Sequence, residues 1–204
     1  MDPHETIKLS KLLSYILRHG AAKHKLVMRP DGYIPLSDIL ALAKFKSYTR
    51  EQIEHVVQKN DKQRFAMAEI DNVWMIRANQ GHTVKGVDQE ELLERITDTL
   101  PVVVHGTSLD SWQQIRQQGL SRMERHHIHC ATGLPGESGV ISGMRSTSQV
   151  YIYIDMSKAM EDGIAFFRSA NNVILTEGQD GILLTKYFSK VVDRQGKSLF
   201  IDIQ

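Results

Sequence analysis

The sequence predicts an α+β protein built as two lobes of different character, and three observations point there. The first 80 or so residues carry three segments with apolar residues at helical spacing, followed by a stretch that alternates about Asp71 and Asn72. From Pro101 onward most apolar runs are short and rich in β-branched residues, as strands are. Charge divides the chain in the same place: residues 1–85 hold 14 Lys and Arg against 9 Asp and Glu, whereas residues 86–204 hold 11 against 15. A net of +5 beside a net of −4 suits a polyanion held by the first lobe and chemistry performed in the second.

Residues 6–19 place Ile7, Leu9, Leu12, Leu13, Ile16 and Leu17 on one stripe and predict a helix. Arg18 and His19 fall on its last turn, before Gly20, where the helix dipole favours a cation by roughly 0.3–1 kcal/mol. A capping role is the plain reading of that pair. A turn at Pro30, Asp31 and Gly32 precedes a helix capped by Ser37, with Ile39, Leu40 and Leu42 inward. Thr49 and Gln52 form a capping box for a third helix, whose stripe is Ile53, Val56 and Val57. Arg64 stands at the mouth of the hairpin that turns at Asp71 and Asn72. Three helices and a hairpin give a winged-helix outline, a fold that does not by itself license a function. Residues 1–85 are read as this lobe and 86–98 as a linker, with Gly81 and Gly86 hinge-like and a polar helical segment from Asp88.

Residues 99–204 are read as the strand-rich lobe. A strand over Pro101–Val104 ends at His105, Gly106 and Thr107. The next helix, capped by Asp110 or Ser111, has Trp112 and Ile115 on one face and stops at Gly119. Arg122, Arg125, His126, His127 and His129 then crowd eight residues. Strand alternation puts His127 and His129 on one face with Arg125 in phase, which suggests a cationic, imidazole-lined cleft for an anion. Residues 133–149, rich in Gly and Ser, read as a surface loop, or more sharply as a flap in which Arg145 meets a phosphate. A strand at Val150–Asp155, a short helix around Ser157–Glu161, and two strands joined near Asn171 and Asn172 complete the lobe.

With 41% hydrophobic and 24% charged residues, the composition is that of a folded protein. No apolar run approaches the ~20 residues that span a bilayer, and the N-terminus does not read as a signal peptide. A single cysteine, Cys130, excludes an internal disulfide and suits a reducing compartment, so a cytoplasmic location is expected.

The blocks LLSYILRHG, DGYIPL, NDKQRF, QGH, HGT at His105–Thr107, GLSRMERHHIHCATG, SGMR and DGIAFFRSANNVILTEG, in this order, resemble the RNA 2′-phosphotransferase family. The resemblance runs from about Lys11 to Phe188. It implies an N-terminal winged-helix lobe and a C-terminal ADP-ribosyltransferase-like lobe with the active-site cleft between them. It also implies an NAD-dependent reaction in two steps, in which an internal RNA 2′-phosphate of tRNA splice-junction type attacks the nicotinamide ribose. The RNA is then released, with nicotinamide and ADP-ribose 1″,2″-cyclic phosphate as the other products.

By the same resemblance Arg18, His19, Arg64 and Arg125 are the catalytic group, the arginines for the phosphate and His19 for proton transfer. His105, Gly106, Thr107, His129 and Arg145 are the NAD-binding set, and no metal is called for. Protein-modifying relatives of the second lobe carry a late glutamate; here an apolar position such as Val173 stands in that region, with Glu177 nearby. Arginine suits such a site because its planar fork pairs bidentately with phosphate oxygens. The expected partners are a 2′-phosphorylated RNA, a tRNA first of all, and NAD, with the protein working as a monomer. Two other readings stand beside this one: an ADP-ribosyltransferase acting on terminal nucleic-acid phosphates, and a non-catalytic RNA-binding module.

Overall fold

The computed structural model describes residues 1–199, which mix helices and strands as an α+β protein does. The chain divides into two compact units, Met1–Leu93 and the residues from Glu94 onward. Among the described residues no helix is long and apolar enough to cross a membrane.

In the first unit, helix α1 (Pro3–Tyr15) begins earlier than the apolar stripe suggests, because Asp2 caps the His4 amide and Pro3 starts the first turn. Leu9, Leu13, Ile16 and Leu17 are buried from this stripe, while Ile7 stays 55% exposed. Helix α2 (Leu36–Leu40) is not capped by Ser37; Pro35 holds the cap position with no side-chain bond, and Ser37 lies inside the helix. Ile39 is buried, but the helix stops at Leu40, so Leu42 falls outside it. Helix α3 (Arg50–Gln58) has the expected capping box: Thr49 Oγ1 accepts from the Gln52 amide at 3.4 Å and Gln52 Oε1 from the Thr49 amide at 2.8 Å. Such a cap contributes about 1 kcal/mol.

Strands β2 (Phe65–Ile70) and β3 (Val73–Ala78) form the expected hairpin. Asp71 and Asn72 both take positive φ, 50° and 61°, as a tight two-residue turn requires. β1 (Ile34–Pro35) adds a third antiparallel strand on the β3 side. The short helix α4 (Gln89–Leu92), capped by Asp88, keeps Leu92 and Leu93 buried.

Among its described residues the second unit holds two larger antiparallel sheets and a two-stranded one. One runs β4 (Glu94–Arg95), β9 (Phe167–Arg168), β10 (Ile174–Thr176), β7 (Ile128–Cys130). The other runs β12 (Phe188–Asp193), β8 (Val150–Ile154), β5 (Val104–Thr107). A bridge between Val104 and Ala131 joins them, and β6 (Leu120–Ser121) pairs with β11 (Ile182–Leu183). Trp112, Ile152, Phe166, Ile174, Tyr187 and Val191 share one buried core. Helix α5 (Leu109–Gln118) is capped by Ser108 rather than by Asp110 or Ser111, its hydroxyl accepting from the Ser111 amide at 3.1 Å. Helix α6 (Met156–Glu161) starts from an Asp155 cap.

Candidate active site

Helix α1 does not end in an ordinary cap. Its last turn widens into a π turn, Ile16–Gly20, that carries Arg18 and His19 between the buried Leu17 and Gly20. Such turns cluster at functional sites because the extra residue in the ring re-aims side chains. The Arg18 carbonyl is taken by a distant segment: the Thr83 amide donates to it at 2.9 Å and the Val84 amide at 3.3 Å. Gly81, at φ +85°, lies so close that an added Cβ would stand 3.4 Å from Arg18 Nε and 3.6 Å from Cζ. The guanidinium therefore lies along a bare Cα.

The same segment reaches Arg64. The Asn79 amide donates to the Arg64 carbonyl at 2.9 Å, and Asn79 Nδ2 to the Gln63 carbonyl at 2.7 Å. Asn60 Oδ1 accepts from both the Arg64 amide, at 3.0 Å, and its guanidinium, at 3.3 Å. Residues 79–83 thus lace Arg64 to the turn of Arg18 and His19, and the first unit brings these three together. Among the described residues no carboxylate forms an ion pair with Arg64. Burial lowers its pKa, partly opposed by Asp61, but a guanidinium remains charged at neutral pH.

His19 Nδ1 stands 2.9 Å from Thr83 Oγ1, whose hydroxyl donates to the Arg18 carbonyl at 3.4 Å. The shorter of these two contacts, to Nδ1, orients the imidazole ring.

In the second unit His105, Gly106 and Thr107 lie on β5, opposite Ile152, Tyr151 and Val150 of β8. His105 Nδ1 is 2.8 Å from the His129 carbonyl, and His129 Nδ1 is 3.0 Å from the His127 carbonyl. A carbonyl only accepts, so each Nδ1 carries the proton and each Nε2 the lone pair. Burial holds the His105 pKa below the ordinary value, with the His129 carbonyl opposing, and pushes that of His127 down to about 4. His127 and His105 are therefore neutral at neutral pH, so positive charge in this stretch comes from its arginines.

The alternation expected through Arg125 and His127 is corrected. β7 begins only at Ile128, and residues 122–125 form a turn closed by the Arg125 amide on the Arg122 carbonyl at 3.2 Å. Arg122 donates to the Arg125 carbonyl at 2.6 Å and so braces that turn. Buried His127 meets the Phe167 ring edge-on, with centroids 5.7 Å apart. Arg125 and Arg145 are brought near enough that the charge of Arg145 adds to burial in lowering the Arg125 pKa.

The loop bearing Arg145 is tied down at both sides. An added Cβ on Gly106 would sit 2.6 Å from Ser148 Oγ and 2.9 Å from Met144 Sδ, so the loop packs where that side chain would be. Arg194 donates to the Ser148 carbonyl at 2.6 Å and the Ser146 carbonyl at 2.7 Å. Val173 is fully buried, whereas Glu177 is exposed. Burial pushes the Cys130 thiol up to about 12, which leaves no thiolate nucleophile at neutral pH.

Thr83, Asn60, Asn79 and Gly81 escaped the reading of the sequence as site residues. Asn60 and Gly81 lie within the NDKQRF and QGH blocks, but nothing in residue type singles out Thr83.

Arginines, whose planar fork pairs with anions, together with His105 and His129, whose Nε2 can accept, define a class of protein suited to an anionic, hydroxyl-bearing ligand such as a phosphate ester. A family model described as RNA 2′-phosphotransferase, Tpt1 / KptA family, matches residues 4–178. Similar proteins include a putative tRNA 2′-phosphotransferase of Schizosaccharomyces pombe, 49% identical over 96% of this chain and 54% of that protein. Others are tRNA 2′-phosphotransferase 1 of Danio rerio, 49% identical over 90% of this chain and 84% of its own, and the tRNA 2′-phosphotransferase of Saccharomyces cerevisiae, 41% identical over the same shares. The chain spans about half the length of the fission yeast relative. This chain belongs to the RNA 2′-phosphotransferase, Tpt1 / KptA family.

Proposed function

We propose that this chain is an NAD-dependent RNA 2′-phosphotransferase that removes an internal 2′-phosphate from RNA, of tRNA splice-junction type, acting as a monomer. The observation that carries the reading is the lacing of Arg18, His19 and Arg64 by residues 79–83 within a chain of this family. In this reading the first unit is a winged-helix lobe that receives the RNA phosphate, and the second an ADP-ribosyltransferase-like lobe that receives NAD. Arg18, Arg64 and Arg125 hold the 2′-phosphate and the charge on its nonbridging oxygens, a role worth about 10²–10³ in rate for a preorganised donor.

The β5 residues suit a dinucleotide with ribose hydroxyls. With NAD bound, His105 Nε2 would accept from a ribose hydroxyl, with Thr107 beside it on β5, the Gly106 backbone and His129 would support the carboxamide end, and Arg145 would take a diphosphate oxygen. NAD, when bound, would supply the ribose carbon that takes the phosphate as nicotinamide departs, and the neighbouring hydroxyl that displaces the RNA 2′-oxygen from phosphorus, leaving RNA with a 2′-hydroxyl and ADP-ribose 1″,2″-cyclic phosphate. A 2′-phosphate is already anionic near neutral pH, so the first step calls for positioning more than for a base. The second step moves a proton, a role we assign to His19, whose ring is oriented by Thr83. An apolar Val173 in place of a late glutamate agrees with a nucleophile that needs no deprotonation.

The test is nicotinamide release. Wild-type protein should release it from NAD only with a 2′-phosphorylated oligonucleotide, and Arg64→Ala or Arg125→Ala should fold normally yet lose at least about 100-fold in turnover. Near-normal turnover in either variant would remove that arginine from the site.

A further inference from the structure

The outer face of α1 carries a groove of about 460 Å³ that includes His4, Ile7, Lys8, Lys11, Tyr15 and, from the turn at Ala43–Phe45, Lys44. Its lining mixes apolar and basic side chains. Ile7 is 55% and Tyr15 42% exposed, a sizeable apolar surface for one helix face. Glu5, which pairs with Lys8 of the groove, is already engaged: it accepts from Lys8 at 3.3 Å and from the Tyr48 hydroxyl at 3.1 Å. The Lys8–Glu5 pair is solvent-exposed and so is readily exchanged for another anion.

The groove ends at Tyr15, just before the turn that carries Arg18 and His19. Lys8, Lys11 and Tyr15 succeed one another at three- and four-residue steps, which keeps them on one side of α1. The Tyr15 ring is held over the backbone of Gly20, the neighbour of His19: an added Cβ there would come within 2.8 Å of Tyr15 Cε1. From Lys11 to Arg18 the helix rises only about 10 Å.

We infer that this face is the track for the RNA strand flanking the 2′-phosphate, with Lys8, Lys11 and Lys44 on successive backbone phosphates and a base stacked on Tyr15. The inference rests on the placing of the 2′-phosphate at Arg18 and His19 and names how the rest of the substrate is held. Basic side chains interleaved with an exposed aromatic ring fit a single strand, because phosphates meet the charges and any base can stack without sequence preference. An acidic protein surface would satisfy the lysines but would leave the Tyr15 platform without a planar partner.

The experiment compares wild type with the combined Lys8→Gln, Lys11→Gln, Lys44→Gln protein and, separately, with Tyr15→Ala. Turnover and binding are measured across a salt series, using a 2′-phosphorylated dinucleotide and a longer oligonucleotide carrying the same core. The triple variant should raise KM for the longer RNA about 10-fold at physiological salt and flatten the slope of log affinity against log salt by about 2, three phosphates at ~0.7 each. It should leave the dinucleotide unaffected. Tyr15→Ala should weaken the longer RNA without changing the salt slope. An unchanged slope and an unchanged length preference in the triple variant overturn the track and leave the groove to an acidic protein. Direct binding reads the track even where turnover is absent, so failure of the phosphotransfer reading shows separately, as wild-type protein that binds RNA and releases no nicotinamide.

Discussion

At His19 a single hydroxyl orients the ring. Thr83 stands 2.9 Å from Nδ1, so Thr83→Val should lower kcat by about 10-fold, the loss of one hydrogen bond's positioning, with KM little changed, while Thr83→Ser should restore it. Equal kcat in all three proteins would deny Thr83 that role. His127 gives a second residue-scale prediction, in stability. Its folded pKa is about 4 against an ordinary 6.5, because burial disfavours the charged ring. Between those values the unfolded chain binds the proton and the native chain does not, so stability is full above pH 6.5, falls as pH drops through the window, and levels off below about 4. The loss is on the order of 3 kcal/mol, and His105, also depressed, acts in the same direction. Urea melts should show this slope in wild type and a shallower one in His127→Leu; identical slopes would rule the residue out. Arg18, His19 and Arg64 were visible as residues from the motif blocks. Thr83 was not, since threonine in a polar stretch carries no signal until the fold brings it 64 positions back to His19.

At the scale of elements, local chemistry was readable wherever one short-range rule decided. The Asp71-Asn72 turn and the Thr49–Gln52 box are such cases, and both formed as expected. Caps were misplaced where a neighbour outranked the obvious residue: Pro35 starts α2 ahead of Ser37, and Ser108 starts α5 ahead of Asp110. The π turn could not be read, because Arg18 accepts its backbone partners from Thr83 and Val84, which no helical periodicity contains. The Arg145 loop was expected to be either a surface loop or a flap, and its ends are held by Arg194 and by the packing of Ser148 on Gly106. Arg194→Ala should therefore raise KM for NAD several-fold, the effect of losing about 1 kcal/mol of loop ordering, while KM for RNA stays put. A change in the RNA term alone would contradict a role for this loop in holding NAD.

For the whole molecule, the α+β class and the mixture of basic and acidic halves were legible, and the family follows from ordered blocks that the comparisons match over residues 4–178. The charge asymmetry was informative about ligand class but not about mechanism, since surface charge steers polyanions without choosing a reaction. The division of labour proposed for the two units makes turnover depend on both substrates together. The most direct measurement is single-turnover reaction of wild-type protein with an RNA bearing one internal 2′-phosphate, with and without NAD, resolving every product. The account predicts 2′-dephosphorylated RNA, nicotinamide and ADP-ribose 1″,2″-cyclic phosphate, all strictly dependent on NAD. Dephosphorylation that proceeds without NAD, or an ADP-ribosylated RNA that accumulates with no cyclic phosphate, would contradict it.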